Sequence, residues 1–221
     1  MTINPRKKQK QLAKKAAKAS AKAKAMRASA AQRVALASGF PLSAPIWPIH
    51  EALISESVQN NLQGTVILAR KSGESIAIAV FLVDIGCMGI KSAFGRCIGA
   101  AAYSDFLQKF RTSENFFAAR PECVRKLVEG ALAYAEDLGF SADADYHRIK
   151  ALFGDIDVAA CEEEFQFGKG GKPFYVPGPD DSRGRIRSVM NRLSSRCGGP
   201  DGFAYMIPSP AFDDDFMDSD E

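Results

Sequence analysis

The chain has 221 residues, of which 46% are hydrophobic, 25% charged and 10% aromatic, values close to globular averages that exclude a wholly disordered, collagen-like or coiled-coil protein. Its length suits one domain of ordinary size with tails, on a prior of roughly 100 to 200 residues per domain. The net charge of +3 conceals a segregation: residues 1–40 hold eleven Lys and Arg and no acid, residues 41–210 eighteen bases and twenty acids, and residues 211–221 six acids and no base.

These blocks divide the chain into a basic arm (1–40), a single globular domain (41–210) and an acidic tail (211–221). The arm contains twelve alanines, and alanine with lysine and glutamine gives 9–37 high helix propensity. Only Leu12, Met26, Val34 and Leu36 are available to anchor such a helix. Lys10, Lys14, Lys18 and Lys22 also repel one another at successive i,i+4 positions. The pattern predicts a disordered or nascent-helical arm that orders when a polyanion neutralises its lysines.

Gly39, Pro41, Pro45 and Pro48 mark the boundary. Segments 49–54 and 65–70 read as strands rich in β-branched residues, with Asn60, Asn61 and Gly64 between them. The loop 71–74 leads into 76–85, a nearly unbroken apolar run that predicts a central strand covered on both faces. Gly86, Gly89, Gly95 and Gly99 leave the next stretch without a clear assignment. Ser104 with Asp105 then suits the cap of a short helix that turns Phe106, Leu107 and Phe110 inward.

The clearest helix runs from Pro121, a good first residue, to Gly139, a left-handed stop. Its apolar face is Val124, Leu127, Val128, Ala131, Leu132, Ala135 and Leu138. A second helix starts at Ser141 or Asp143, buries Tyr146, Ile149, Leu152 and Phe153, and ends at Gly154. Segments 164–167 and 174–176 read as the strands of a hairpin around the glycine loop 168–172. Asp180, Asp181 or Ser182 caps a last helix that buries Ile186, Val189, Met190 and Leu193. The expected fold is α+β: an antiparallel meander of three strands plus a later β-hairpin, packed against three to four helices, with a basic N-terminal arm and an acidic C-terminal tail.

Cys87, Cys97, Cys123, Cys161 and Cys197 are an odd, scattered set without CxxC spacing, which indicates neither a disulfide framework nor a zinc ribbon. A reducing, cytoplasmic setting is the natural expectation. No apolar run approaches the roughly 18 residues of a membrane span.

The arm is the strongest functional signal. Closely spaced phosphates carry condensed counterions, and a lysine-rich segment gains free energy by releasing them, with no base-reading geometry. Lys7, Lys8, Lys10, Lys14, Lys15, Lys18, Lys22 and Lys24 are the expected contacts to the DNA or RNA backbone, with little sequence preference. A solubilising or targeting tail, such as an organellar transit peptide, is the plainer explanation of such a composition. Lys169, Lys172, Arg183, Arg185 and Arg187 offer a second basic surface.

Asp84 is the one candidate for chemistry, a carboxylate ending a strand expected to be buried. Its structural role is to accept amides from the glycine turn or to pair with Lys91 or Arg96. Its functional alternative is a metal ligand or general base near His50, Glu51 or Cys87, in a metal-assisted nuclease or hydrolase. A meander followed by helices resembles the opening of ribonuclease-H-like nucleases, whose clustered acids hold two magnesium ions. Residues 86–92, GCMGIKS, lack the spacing of a phosphate loop. His147 with Asp143 gives too few ligands for a metal site. No cofactor or metal is implied. The leading expectation is a nucleic-acid-associated protein acting through its arm; the alternatives are the Asp84 hydrolase and a protein-interaction module with solubilising tails.

Overall fold

The computed structural model of the chain describes residues 39–178 and 181–206. Its centre is a five-stranded antiparallel sheet in the order β4-β3-β2-β1-β5. The strands are β1 (Ile49–Ser55), β2 (Gln63–Ser72), β3 (Ser75–Asp84), β4 (Gly89–Gly99) and β5 (Phe116–Ala118). Helix α1 (Glu56–Asn60) joins β1 to β2, and α2 (Ala100–Arg111) joins β4 to β5. After β5 come α3 (Pro121–Asp137), the short α4 (Tyr146–Ile149), β6 (Phe174–Tyr175), α5 (Arg183–Arg196) and β7 (Ala204–Tyr205). The class is α+β, as the order of elements predicts.

The apolar run of β3 is buried on both sides. Ala77, Ala79, Phe81 and Val83 face one core, and Ile76, Ile78 and Val80 face the other. On the first side the two alanines leave room for α3, which brings Val124, Leu127, Val128 and Ala131 against the sheet. On the second side α2 covers the strands with Tyr103, Phe106 and Leu107. Full burial of a side chain such as Leu127, 1% exposed, contributes about 1.5 to 3 kcal/mol. A third cluster joins Ala135 and Leu138 at the end of α3 to Tyr175, Val189, Leu193 and Phe203, so α5, β6 and β7 form one subassembly there.

Local chemistry fits these elements. Pro121 is the first residue of α3, Glu122 lies at the positive end of its dipole, and Gly139 follows it with φ of 83°. Ser182 caps α5 by accepting the amide of Arg185 at 3.2 Å. Arg70 of β2 is buried and donates to three carbonyls: Trp47 at 2.6 Å, Leu152 at 2.8 Å and Phe153 at 2.8 Å. It thereby ties two peripheral turns to the sheet.

Several expectations are corrected. The meander has four strands, because residues 89–99 pair with β3 along its whole length despite their glycines; β5 adds a fifth strand, antiparallel to β1. Helix α2 begins at Ala100 after an N-cap at Gly99, upstream of the proposed Ser104 cap. The later hairpin does not form. Residues 164–167 are not a strand: Phe165 and Phe167 pack on the core, and Gly168 donates its amide to Ile85 at 2.7 Å. The glycine loop closes only with a Lys169–Lys172 bridge, and β6 pairs with β7 in parallel. The helices number five among the described residues, since α1 fills the segment read as punctuation.

Two of the scattered cysteines are paired: Cys123 on α3 is bonded to Cys161. This bond removes the cysteine argument for a reducing compartment. Among the described residues no helix is long and apolar enough to cross a membrane. The eight lysines singled out in the arm, and the acidic tail, lie outside the described residues.

Candidate functional site

Asp84 ends β3 and is 2% exposed as a residue. The amides of Cys87 and Met88 donate to its Oδ1 at 2.9 and 3.2 Å, the side-chain-to-backbone closure that aspartate offers a tight turn. Both glycines of that turn are held by neighbours: a Cβ at Gly86 would strike the Phe174 carbonyl, and one at Gly89 would strike Ala135 and Ala131 of α3. The glycines of GCMGIKS therefore serve close packing of β6 and α3, and that requirement explains the motif without a phosphate.

A β-bulge places the nearest cation. Leu82 pairs with Ser92 but Val83 pairs with Ile90, so Lys91 is the extra residue. Its Nζ donates to Gln63 Oε1 at 2.8 Å, and Gln63 lies directly across β2 from Asp84. Burial pushes the Asp84 carboxyl above the usual carboxylate range, while the Cys87, Met88 and Gly86 amides and the Lys91 charge pull it back in part. The Cys87 thiol is fully buried; burial and the Asp84 carboxylate drive its pKa upward. It is held protonated, the opposite of an activated nucleophile.

His50 and Glu51 do not join Asp84. Glu51 pairs with Ala69 of β2, whereas Asp84 pairs with Gln63, a separation of about 20 Å at roughly 3.3 Å per residue. They meet α2 instead: Tyr103 donates to Glu51 at 2.6 Å, Arg111 lies 3.6 Å from the same carboxylate, and the His50 ring sits 5.2 Å from that of Tyr103. His147 packs its ring beside Tyr146, while Asp143 accepts the amide of Asp145 before the helix begins. Among the described residues no three His, Cys, Asp or Glu side chains are grouped to hold a metal ion.

Beside the Asp84 turn lies a cleft of about 430 Å³ with an apolar floor that includes Ile54, Val58, Leu62, Ile85, Phe117 and Leu127. Leu62 there has φ of 61°, a left-handed conformation taken by no other described non-glycine residue. The polar part of its lining is Gln59, Asn60, Glu163, Glu164, Gln166 and Lys169. Its Glu164 is paired with Lys126 at 2.9 Å.

Positive charge gathers elsewhere. Arg183, Arg185, Arg187, Arg192 and Arg196 are all exposed on α5, which has no acid in its fourteen residues. Arg185 is paired with Asp181 at 2.8 Å; Arg192 donates to the Gly139 carbonyl at 2.7 Å and its guanidinium lies over Phe140. Burial alone would raise the Asp181 carboxyl, but the Gly178 amide, the Tyr175 hydroxyl, Lys91 and Arg185 together hold it below its ordinary value. Of the basic residues in the glycine loop, Lys169 lies over Phe174 and Lys172 donates to the Asp201 carbonyl.

Phe94 carried no expectation, and Arg96, expected as a partner of Asp84, lies instead opposite Ile78 with its guanidinium over Phe106. The available signal was alternation: Ser92, Phe94 and Arg96 are exposed, while Ala93 is buried and Gly95 and Cys97 are half-buried. No family model, curated protein or solved structure matches the chain.

Proposed function

We propose that this protein binds nucleic acid through backbone phosphates, with low sequence specificity, and that its lysine arm is the anchor. The observation that carries this reading is charge segregation: eleven bases and no acid in residues 1–40. Such a block neutralises phosphates and releases their counterions without needing a fixed geometry. The exposed arginines of α5 add a basic surface on the folded part. Arginine suits it, since a planar guanidinium makes two parallel bonds to a phosphate.

The test is fluorescence-anisotropy binding of the full chain to labelled duplex DNA, single-stranded DNA and duplex RNA across a salt series. The comparison is a variant carrying Gln at Lys7, Lys8, Lys10, Lys14, Lys15, Lys18, Lys22 and Lys24. On this reading the wild type shows a log–log salt slope near −5 on duplex DNA, about six phosphates at roughly 0.9 per contact, and the variant loses most of that slope. Equal binding by the two chains, or no binding by the wild type below high micromolar concentration at low salt, overturns it.

A further inference from the structure

We propose that Phe94 and Arg96 on β4 form a stacking platform for an unpaired base, so that the polyanion held by the arm is single-stranded nucleic acid. The inference rests on the arm-binding reading above and names its substrate class.

Ser92, Phe94 and Arg96 share one face of β4, opposite Leu82, Val80 and Ile78 of β3. Helix α2 covers that face only in part: Val80, the cross-strand partner of Phe94, is buried, while Phe94 itself is 37% exposed. The ring is nevertheless held. It lies nearly parallel to Phe110 at 6.4 Å between centroids and edge-on to Phe106 at 6.5 Å. An aromatic ring fixed by two others and open to solvent loses little freedom when a base stacks on it, and every base has a face to offer. Arg96 stands two residues along, its guanidinium over the Phe106 ring at 5.5 Å. It is exposed, and a guanidinium beside an aromatic face suits both the phosphate and the base of one nucleotide.

Of the bases on β4 and α2, Lys91 donates to Gln63 and Arg111 is paired with Glu51, which leaves Arg96 and Lys109 with one acid in the two elements, Asp105. The attachment of the arm lies at the same strand. Gly39 has φ of 78°, and a Cβ there would strike the carbonyl of Gly95, the residue between Phe94 and Arg96. The first described residue is thus pressed against β4, with Arg33 six residues and Lys24 fifteen residues before it in the sequence. Duplex bases are already stacked and paired, so only an unpaired strand gains from Phe94.

The experiment measures anisotropy of the full chain on an oligothymidylate of about 20 nucleotides, longer than one typical site, and on a duplex of equal length. The chains are wild type, Phe94→Leu, Phe94→Trp and the arm Lys→Gln variant, each checked by thermal melting. Leucine keeps apolar contact with Val80 and the α2 rings but has no π-face. Phe94→Leu is expected to weaken oligothymidylate binding about 5- to 150-fold, the alanine-scan range for one stacked base. Duplex binding is expected to stay within about twofold, since the phosphate contacts are untouched. Phe94→Trp is expected to restore affinity and to show quenched fluorescence when the single strand binds. Equal single-strand binding by Phe94→Leu and wild type, with the arm variant still defective, overturns the inference and leaves the arm reading standing. Loss of self-association on Phe94→Leu, seen by sedimentation without any change in oligothymidylate binding, also overturns it and assigns the face to a second copy of the chain. Undiminished binding by the arm variant overturns the arm reading, and the inference falls with it.

Discussion

Asp84 is a carboxylate with two amide donors in a place where water does not reach. Its turn-closing role needs an acceptor oxygen rather than a charge. Asp84→Asn retains that oxygen and is expected to melt at or above the wild-type temperature at neutral pH, whereas Asp84→Ala strands two buried amides at about 1 to 3 kcal/mol each. The pH dependence has a definite sign. The folded carboxyl sits above its unfolded value, so ionisation favours unfolding, and wild type is expected to lose stability relative to Asp84→Asn as pH rises from about 4. Metal-dependent turnover abolished by Asp84→Asn in a chain that still folds would speak for the hydrolase alternative.

Asp181 behaves in the opposite sense. Its folded carboxyl is held below the ordinary value, so its contribution is present above about pH 4 and lost as pH falls through the folded value. Melting curves between about pH 2 and 6 are expected to show wild type losing its advantage over Asp181→Asn on acidification; parallel curves would dismiss the contribution. Asp84's bonds to its own turn were legible in the sequence, because they join near neighbours. The role of Arg70 was not, because it donates to carbonyls as far as 83 residues away.

At the scale of elements, residues 157–165 run along α3 and are held there by long side chains: Arg120 donates to the Ala160 carbonyl at 2.9 Å, and Lys126 to the Glu163 carbonyl at 2.7 Å. The Cys123–Cys161 bond spans 38 residues of sequence and pins this segment. The chain-entropy model assigns such a loop about 4 kcal/mol. Reduction, or the pair Cys123→Ser with Cys161→Ser, is expected to lower the melting temperature by about 8 to 15 °C at 2 to 4 °C per kcal/mol. An unchanged melting temperature under reductant would show that the side-chain contacts suffice. Helices α3 and α5 were readable because their caps and apolar faces are local signals. Strand β4 was not, because its Gly89 makes room for α3 and its Gly95 carbonyl receives Gly39, partners that have no trace in the strand's own composition. The expected hairpin at 164–176 failed for a related reason: Phe165 and Phe167 look like strand residues but are used as isolated plugs against the core.

For the whole molecule, opposed charge at the two ends makes a prediction of its own. Residues 211–221 carry six acids with Phe212, Phe216 and Met217, a chemistry that competes with phosphate for the lysine arm. Deleting them takes the formal net charge from +3 to +9. The deletion is expected to tighten polyanion binding at low salt and to change little at high salt, where screening already weakens the competition; an unchanged dissociation constant in a salt titration counts against it.

The sequence by itself determined the α+β class, the two-sided burial of β3 and the limits of α3. It also determined the segregation of charge, since these follow from composition, periodicity and capping within a few residues. Tertiary structure alone decided that β4 completes a four-stranded run and that β6 pairs with β7 in parallel. It also decided that His50 and Glu51 meet Tyr103 rather than Asp84, that two scattered cysteines pair, and that Gly39 packs on the Gly95 carbonyl between Phe94 and Arg96. Each of these depends on which surfaces become neighbours after distant segments pack, and no local propensity encodes that choice.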